Sequence, residues 1–267
     1  MPALQPLTYT VEAFNVSHAS ENKIHDDTVA KKLGFTGGLV PGVEVFAYAT
    51  HAAVAHFGAD WLRRGQMEGR FQKPVYDGRM ATVTATPVAS ALEFKVESEG
   101  ASCATGTATL PSPTPPVPAL SDYEAVTPPA LDERPPADEM SLAEGKWLGV
   151  VPAVLTAERH AEYLRDVRER HDIYATEGIA HPGILLRLCN SLLRESVVLP
   201  PWVHVGSNMQ NFDVARVGQV LAARGRVVAN YDRKGHRLVD LDCVLTADGK
   251  VIAHVLHTAI YKLRHLS

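Results

Sequence analysis

Eight consecutive positions gather residue types that together could move a proton at neutral pH. The run is Ser20-Glu21-Asn22-Lys23-Ile24-His25-Asp26-Asp27. An imidazole titrates near ~6.5, so His25 is the candidate for both giving and taking a proton. Asp26 or Asp27 could orient its ring. Ser20 can donate or accept a hydrogen bond but is no base by itself. Downstream, Pro41-Gly42 opens a long apolar run, and Pro182-Gly183 opens a second. A helix that starts at either glycine presents unpaired N–H groups and the positive end of its dipole, a place for a negatively charged oxygen. Glycine there also lets a ligand approach the backbone closely.

Other polar residues border these helix starts. His181 directly precedes Pro182-Gly183 and is expected either at a cleft mouth or in a loop packed on Trp202. The dipole would keep its ring neutral. Asn190 lies seven residues after Gly183, about two turns along the same helix face. It is expected to hydrogen-bond a ligand or to hold a neighbouring strand. His204, His236, His254 and His257 fall on expected strands. None of these sets offers the three or four convergent donors of a zinc site, so no metal is expected. Cys103, Cys189 and Cys243 are far apart, form no CxxC pair and read as buried reduced thiols. Neither a phosphate-binding glycine loop nor a nucleotide fingerprint nor a G-x-S-x-G elbow occurs, and no cofactor is expected.

The elements that carry these residues repeat. Gly37-Gly38-Leu39-Val40-Pro41-Gly42 is echoed by Gly178-Ile179-Ala180-His181-Pro182-Gly183, with the final glycines 141 residues apart. Pro74-Val75-Tyr76-Asp77-Gly78 is echoed by Val214-Ala215-Arg216-Val217-Gly218 at an offset of 140. A constant offset points to a duplicated and fused unit, with a ligand cleft on the seam. In each half a buried helix is expected first, over 41–57 and 184–194, the second preceded by a short helix over 157–168. Period-two strands follow, over 69–76, 80–87, 92–98 and 104–110, then over 203–212, 220–231, 237–245 and 251–261. Between the halves, PSPTPPVPALSDYEAVTPPALDERPP holds nine of the eighteen prolines and must be extended connection. The expected division is therefore an N-terminal unit at 1–110, a linker at 111–140 and a C-terminal unit at 141–267. The expected fold class is α+β, each unit a curved antiparallel sheet wrapped around a long central helix.

Asn22-Lys23-Ile24-His25-Asp26-Asp27, Ala30, Gly34-Phe35 and the glycine at 42 together resemble the MaoC-like dehydratases, which include (R)-specific enoyl-CoA hydratases. So do Ala180-His181-Pro182-Gly183, Asn190, Pro201-Trp202-Val203-His204 and Lys234-Gly235-His236. The resemblance covers nearly the whole chain outside the linker and implies a double hotdog. In that family an Asp and a His handle the protons, and the helix start binds the enolate oxygen of a thioester. The resemblance implies a hydro-lyase that adds or removes water at a 2-enoyl or 3-hydroxyacyl thioester. His25, Asp27 and Ser20 would be catalytic, and Asn22, Gly42, His181, Gly183 and Asn190 would contact substrate. The chain departs from the pattern in three places. Ser20 stands where the family has Asp, Lys23 where it has Pro, and Pro41 where it has the His before the helix glycine. In the second half Glu169 and Tyr174 take the Asp and His positions; Asp166 and His171 share the same spacing but start inside a helix. An acyl-thioester binder without catalysis and a thioesterase on the same fold are the alternatives.

Composition bounds the partners. A net charge of −4 without a basic stripe argues against nucleic acid. The first residues lack the charged and apolar regions of a signal peptide, and no apolar run reaches the ~20 residues that span a bilayer. A cytoplasmic homo-oligomer acting on an acyl thioester, carried by CoA or a carrier protein, is the expectation.

Overall fold

The structure, a computed structural model, describes residues 6–17 and 22–264. Chain order begins with β1 (Leu7–Glu12), the one-turn segment Lys23–His25, α1 (Asp27–Lys32), α2 (Gly42–Phe57) and α3 (Asp60–Arg64). Strands β2 (Gln66–Phe71), β3 (Met80–Val88), β4 (Ala91–Ser98) and β5 (Ala101–Thr109) complete the first half. After the proline-rich segment come β6 (Trp147–Gly149), β7 (Ala153–Val154), α4 (Ala157–Asp166), α5 (Ile173–Glu177) and α6 (Pro182–Ser196). Then β8 (Val203–Asn211), β9 (Val220–Arg233), β10 (His236–Ala247) and β11 (Lys250–Lys262) close the chain.

One sheet runs through the whole molecule in the order β1-β3-β4-β5-β2-β8-β11-β10-β9-β6, with β7 also on β9. The order is a palindrome of two meanders joined where β2 pairs antiparallel with β8. There Glu68 sits opposite Asn208, while Met67 faces Met209 and Gly69 faces Ser207. Glu68 and Asn208 are 140 apart, so each residue pairs with the equivalent of its mirror neighbour and the pseudo-two-fold axis passes through this pair. Smaller features repeat at the same offset. The bridge Leu39–Tyr76 recurs as Ile179–Arg216, and Val40 N–H to Val75 O recurs as Ala180 N–H to Ala215 O, both 2.8 Å.

Each half wraps its sheet around one helix. The two helices lie antiparallel on each other: Glu44 meets Arg187, Ala47 lies against Gly183, and Thr50 meets His181. On α2 every residue from Val43 to Thr50 is buried, as its apolar composition requires. In contrast, α6 buries Leu185, Leu186, Cys189, Leu192 and Leu193 and leaves Arg187, Asn190, Ser191 and Arg194 on an open flank.

Several elements differ from the sequence reading. The strand expected at 69–76 is β2, already over by Phe71, because Pro74 has no N–H for a ladder. The helix expected to 168 ends at Asp166, with Arg168 in the left-handed region at φ 56°. The short strands β1, β6 and β7 were not anticipated. The proline-rich segment is fastened to the second half: Tyr123 donates to Asp242 at 2.8 Å and accepts, at its carbonyl, from Arg224 at 2.9 Å.

Candidate functional site

Local hydrogen bonds fix where His25 points. The Lys23–His25 turn is capped by Asn22, whose side chain accepts from the Ile24 N–H. The same amide ties the two halves together, donating to the Trp202 carbonyl at 3.0 Å and accepting from the Trp202 N–H at 3.3 Å. The His25 Nδ1 lies 2.6 Å from the Leu39 carbonyl, so Nδ1 carries the proton and donates. That leaves Nε2 as the basic nitrogen, 3.3 Å from the Asn22 side-chain amide. Asn15 holds the His25 carbonyl at 2.9 Å. The residue as a whole is 8 % exposed.

His25 lines a cleft of about 690 Å³ on the seam between the halves. Asn22, Pro41, Val43 and Glu44 share its first-half wall, and Arg187, Asn190 and Trp202 the other. Glu44 is fully buried. It accepts from the Tyr163 hydroxyl at 2.7 Å and from the Arg187 Nε at 2.7 Å, and the Arg187 guanidinium stacks 4.5 Å over the Tyr163 ring. Burial works to lower the Arg187 pKa, but the Glu44 carboxylate outweighs it and the net shift is upward. Burial, with the Glu44 charge, pushes the Tyr163 phenol well above its ordinary value. Glu44 is thus a locked anion, with both oxygens engaged. The Asn190 Oδ1 is buried against the cleft without a hydrogen-bond partner among the described residues.

The other expected site residues fall in different places. Ser20 lies outside the described residues. Asp27 does not hold the His25 ring; its Oδ1 accepts from the Gly38 N–H at 2.6 Å and closes the loop. Asp26 instead caps α1, accepting from Thr28 and Val29. The glycine at 42 answers to a side chain: a Cβ there would stand 2.9 Å from the His204 Nδ1 and 3.0 Å from the His204 carbonyl oxygen. A Cβ at Gly183 would overlap the Tyr163 hydroxyl and stand 2.9 Å from the Ala47 Cβ. Close packing of side chains on the helix starts is thus a sufficient reason for glycine at both.

His181 does not line the His25 cleft, nor does it pack on Trp202 there. Its side chain is wholly buried and caps α6, its Nδ1 accepting from the Gly183 N–H at 3.1 Å. The Nε2 meets Glu169 at 3.1 Å and Thr50 at 3.4 Å, with the Tyr174 ring 4.6 Å away. Glu169 also holds His51 at 2.8 Å and accepts from the His171 N–H. Burial works to raise the Glu169 carboxyl, but the hydrogen bonds from His181 and His51 hold it far below the carboxylate range. His51, Glu169 and His171 bring three possible ligand atoms within 4.8 Å of one another. The two imidazoles stack at 4.0 Å, however, and Glu169 Oε1 already accepts from His51, an arrangement of mutual satisfaction and not of convergent lone pairs.

The pseudo-symmetry explains this contrast. Thr50 is the counterpart of Asn190 and Ala47 that of Arg187. In the second-half copy the imidazole of His181 fills the space beside Thr50. In the first-half copy position 181 is matched by Pro41, which has no such ring, and a cleft remains beside Asn190. One of two equivalent sites is therefore sealed and one open. Sequence reasoning missed Glu44, Arg187 and Tyr163. The available signal was the lone acid in an otherwise apolar helix, since a buried charge must find an opposite one.

Solved structures with the same arrangement span the chain end to end. A MaoC domain protein described as a dehydratase from Chloroflexus aurantiacus matches at 12 % identity and TM-score 0.63, covering 98 % of this chain and 96 % of that one. A conserved Mycobacterium tuberculosis protein described as a double hotdog matches at 11 % identity and TM-score 0.66, covering 97 % and 96 %. The chain is a double hotdog. A dehydratase domain of the curacin polyketide synthase has the same architecture at 13 % identity and TM-score 0.56, covering 98 % and 94 %. This double hotdog matches no family model and no curated protein. Among its described residues no helix is long and apolar enough to cross a membrane.

Proposed function

We propose that the chain is a hydro-lyase acting on an acyl thioester, interconverting a 3-hydroxyacyl group and its 2-enoyl form. The observation that carries this reading is the His25 imidazole, fixed through Nδ1 on the Leu39 carbonyl so that Nε2 is the basic atom at a cleft wall. The start of α2 supports it. The Pro41 carbonyl accepts from Glu44 and Val45, which leaves the Gly42 and Val43 N–H groups ahead of the first helical bond. A thioester oxygen placed there gains both donors and the helix dipole as it becomes an enolate.

In dehydration, Nε2 takes the proton from C2 and the electron pair moves onto the thioester oxygen. The pair then returns to form the C2–C3 double bond as the C3–O bond breaks. The leaving hydroxide collects the proton from the imidazolium and departs as water. Hydration is the reverse. One base serves both steps, which suits a chain with Ser20 at the family's Asp position and with Glu44 locked by Arg187 and Tyr163. The Asn190 Oδ1, buried on the cleft wall and unpartnered among the described residues, would accept from the hydroxyl or the water.

A panel of 2-enoyl-CoA thioesters of increasing chain length tests the reading. The expected product is the 3-hydroxyacyl thioester with no free thiol. Release of CoA thiol without a hydroxyacyl product would show a thioesterase. Tight binding of saturated acyl-CoA with no turnover of any 2-enoyl substrate would show a binder, the reading that Ser20 and Pro41 favour.

A further inference from the structure

Beyond His25 the cleft runs along the open flank of α6. Arg187, Asn190, Ser191 and Arg194 line it from that helix, Arg159 from α4, and Arg134 from the proline-rich segment. Among the described lining residues the only acid is Glu44, and Arg187 neutralises it. Three guanidinium groups remain without a compensating carboxylate on the wall. Arg194 reaches back to the Ser191 hydroxyl at 3.2 Å, and its nearest acid is Glu195 at 3.8 Å. Arg134 donates to the Arg194 carbonyl at 2.9 Å, while its Nε is buried with no partner among the described residues. The Arg159 side chain has neither a hydrogen bond nor an ion pair among the described residues. This local excess of positive charge sits in a chain of net charge −4. A concave wall of one sign concentrates ligands of the other.

We propose that Arg159 and Arg194, with the Ser191 hydroxyl between helix turns and Arg134 behind them, form a binding subsite for a ligand oxyanion. The group is a carboxylate or phosphate borne by the same molecule that reaches His25, and the inference rests on the acyl-thioester reading. A guanidinium suits either group, since its parallel N–H donors match two oxygens at once. An unsubstituted fatty chain suits this flank poorly, because it would desolvate the guanidiniums and give them no acceptor.

The two sources of the oxyanion are separable. Calorimetry would compare wild type with the double variant Arg159→Gln/Arg194→Gln against four thioesters: butyryl-CoA, succinyl-CoA, butyryl-pantetheine and succinyl-pantetheine. Both arginines are exposed, so the variant is expected to keep its melting temperature. Loss of about ten-fold or more in affinity for both CoA thioesters, with pantetheine thioesters unaffected, places a phosphate there. The same loss for both succinyl compounds, with butyryl compounds unaffected, places the acyl carboxylate there. Affinities within two-fold of wild type for all four compounds overturn the subsite. Binding does not require turnover, so binding of these saturated thioesters together with no hydration of any 2-enoyl-CoA would sink the hydro-lyase reading and leave the subsite standing. Failure of the wild type to bind any of the four overturns both.

Discussion

At the scale of single residues, the proposed reaction puts the chemistry on His25, which its neighbours hold still. Replacing His25 with Ala should lower turnover by roughly 10²–10⁴-fold and cost the fold only ~1–3 kcal/mol, because the buried Leu39 carbonyl loses its donor while the rest of the site stays in place. Steady-state rates beside a thermal melt check both halves of that statement. Gly42→Ala should instead destabilise the fold by ~1–3 kcal/mol, since its Cβ would press on the His204 ring and carbonyl. Denaturant titration reads this directly; an unchanged midpoint would mean that His204 moves aside freely. The position and chemical type of His25 were legible in the sequence, because N-x-x-H-x-D is local. Its orientation was not. The partner that sets it is the Leu39 backbone, and carbonyl groups leave no trace in a residue pattern. Asp27 had the right type and spacing to orient His25 but satisfies the Gly38 N–H instead.

At the scale of elements, the two central helices decide which site is open. The sequence showed both helices and where they start, since apolar periodicity and Pro-Gly starts are strong local signals. It could not show that Ala47 and Thr50 on α2 are matched by Arg187 and Asn190 on α6, with one flank covered and the other bare. Burial depends on what a distant segment does. Glu44 and Arg187 bolt the helices together across that asymmetry, and the pair should respond unequally to mutation. Arg187→Met strands a fully buried carboxylate with only the Tyr163 hydroxyl, a loss of ~3–5 kcal/mol. Glu44→Gln leaves an arginine whose side chain is 39 % exposed and can still meet water, so the loss should be smaller. Equal losses from the two variants would contradict the assignment of Glu44 as the buried partner.

At the scale of the whole molecule, a duplicated unit has kept its frame while the surroundings of its two helix starts have diverged. The 140-residue offset read from Gly78 and Gly218 is the offset of the sheet dyad itself, whereas the match of Gly42 with Gly183, 141 apart, is one residue out of that register, in which Gly183 answers to Val43. Beside the dyad lies a pair of buried histidines whose charge state couples folding to pH. Burial pulls the His204 pKa down to about 3, and burial with the His204 charge holds His257 well below its ordinary value. In the unfolded chain both rings protonate near ~6.5. Below that pH the unfolded state therefore binds more protons than the native one, and stability falls as pH drops toward 3. Each ring contributes a slope of up to ~1.4 kcal/mol per pH unit in that window. Glu169, depressed from 4.5, adds its own loss once the pH falls below that value. Unfolding free energies at pH 7.5, 6 and 5 should decline in that order, and a flat profile would mean that both rings reach water. The proposed reading puts the reaction at one of two equivalent sites, with the other packed shut. Its most direct test is the rate of 2-enoyl-CoA hydration by His25→Ala set beside that of Glu169→Gln. Abolished turnover in the first, with turnover in the second kept within a few-fold of wild type, is the expected result. Turnover that survives in His25→Ala and disappears in a folded Glu169→Gln protein would place the chemistry at the other end of the helix pair.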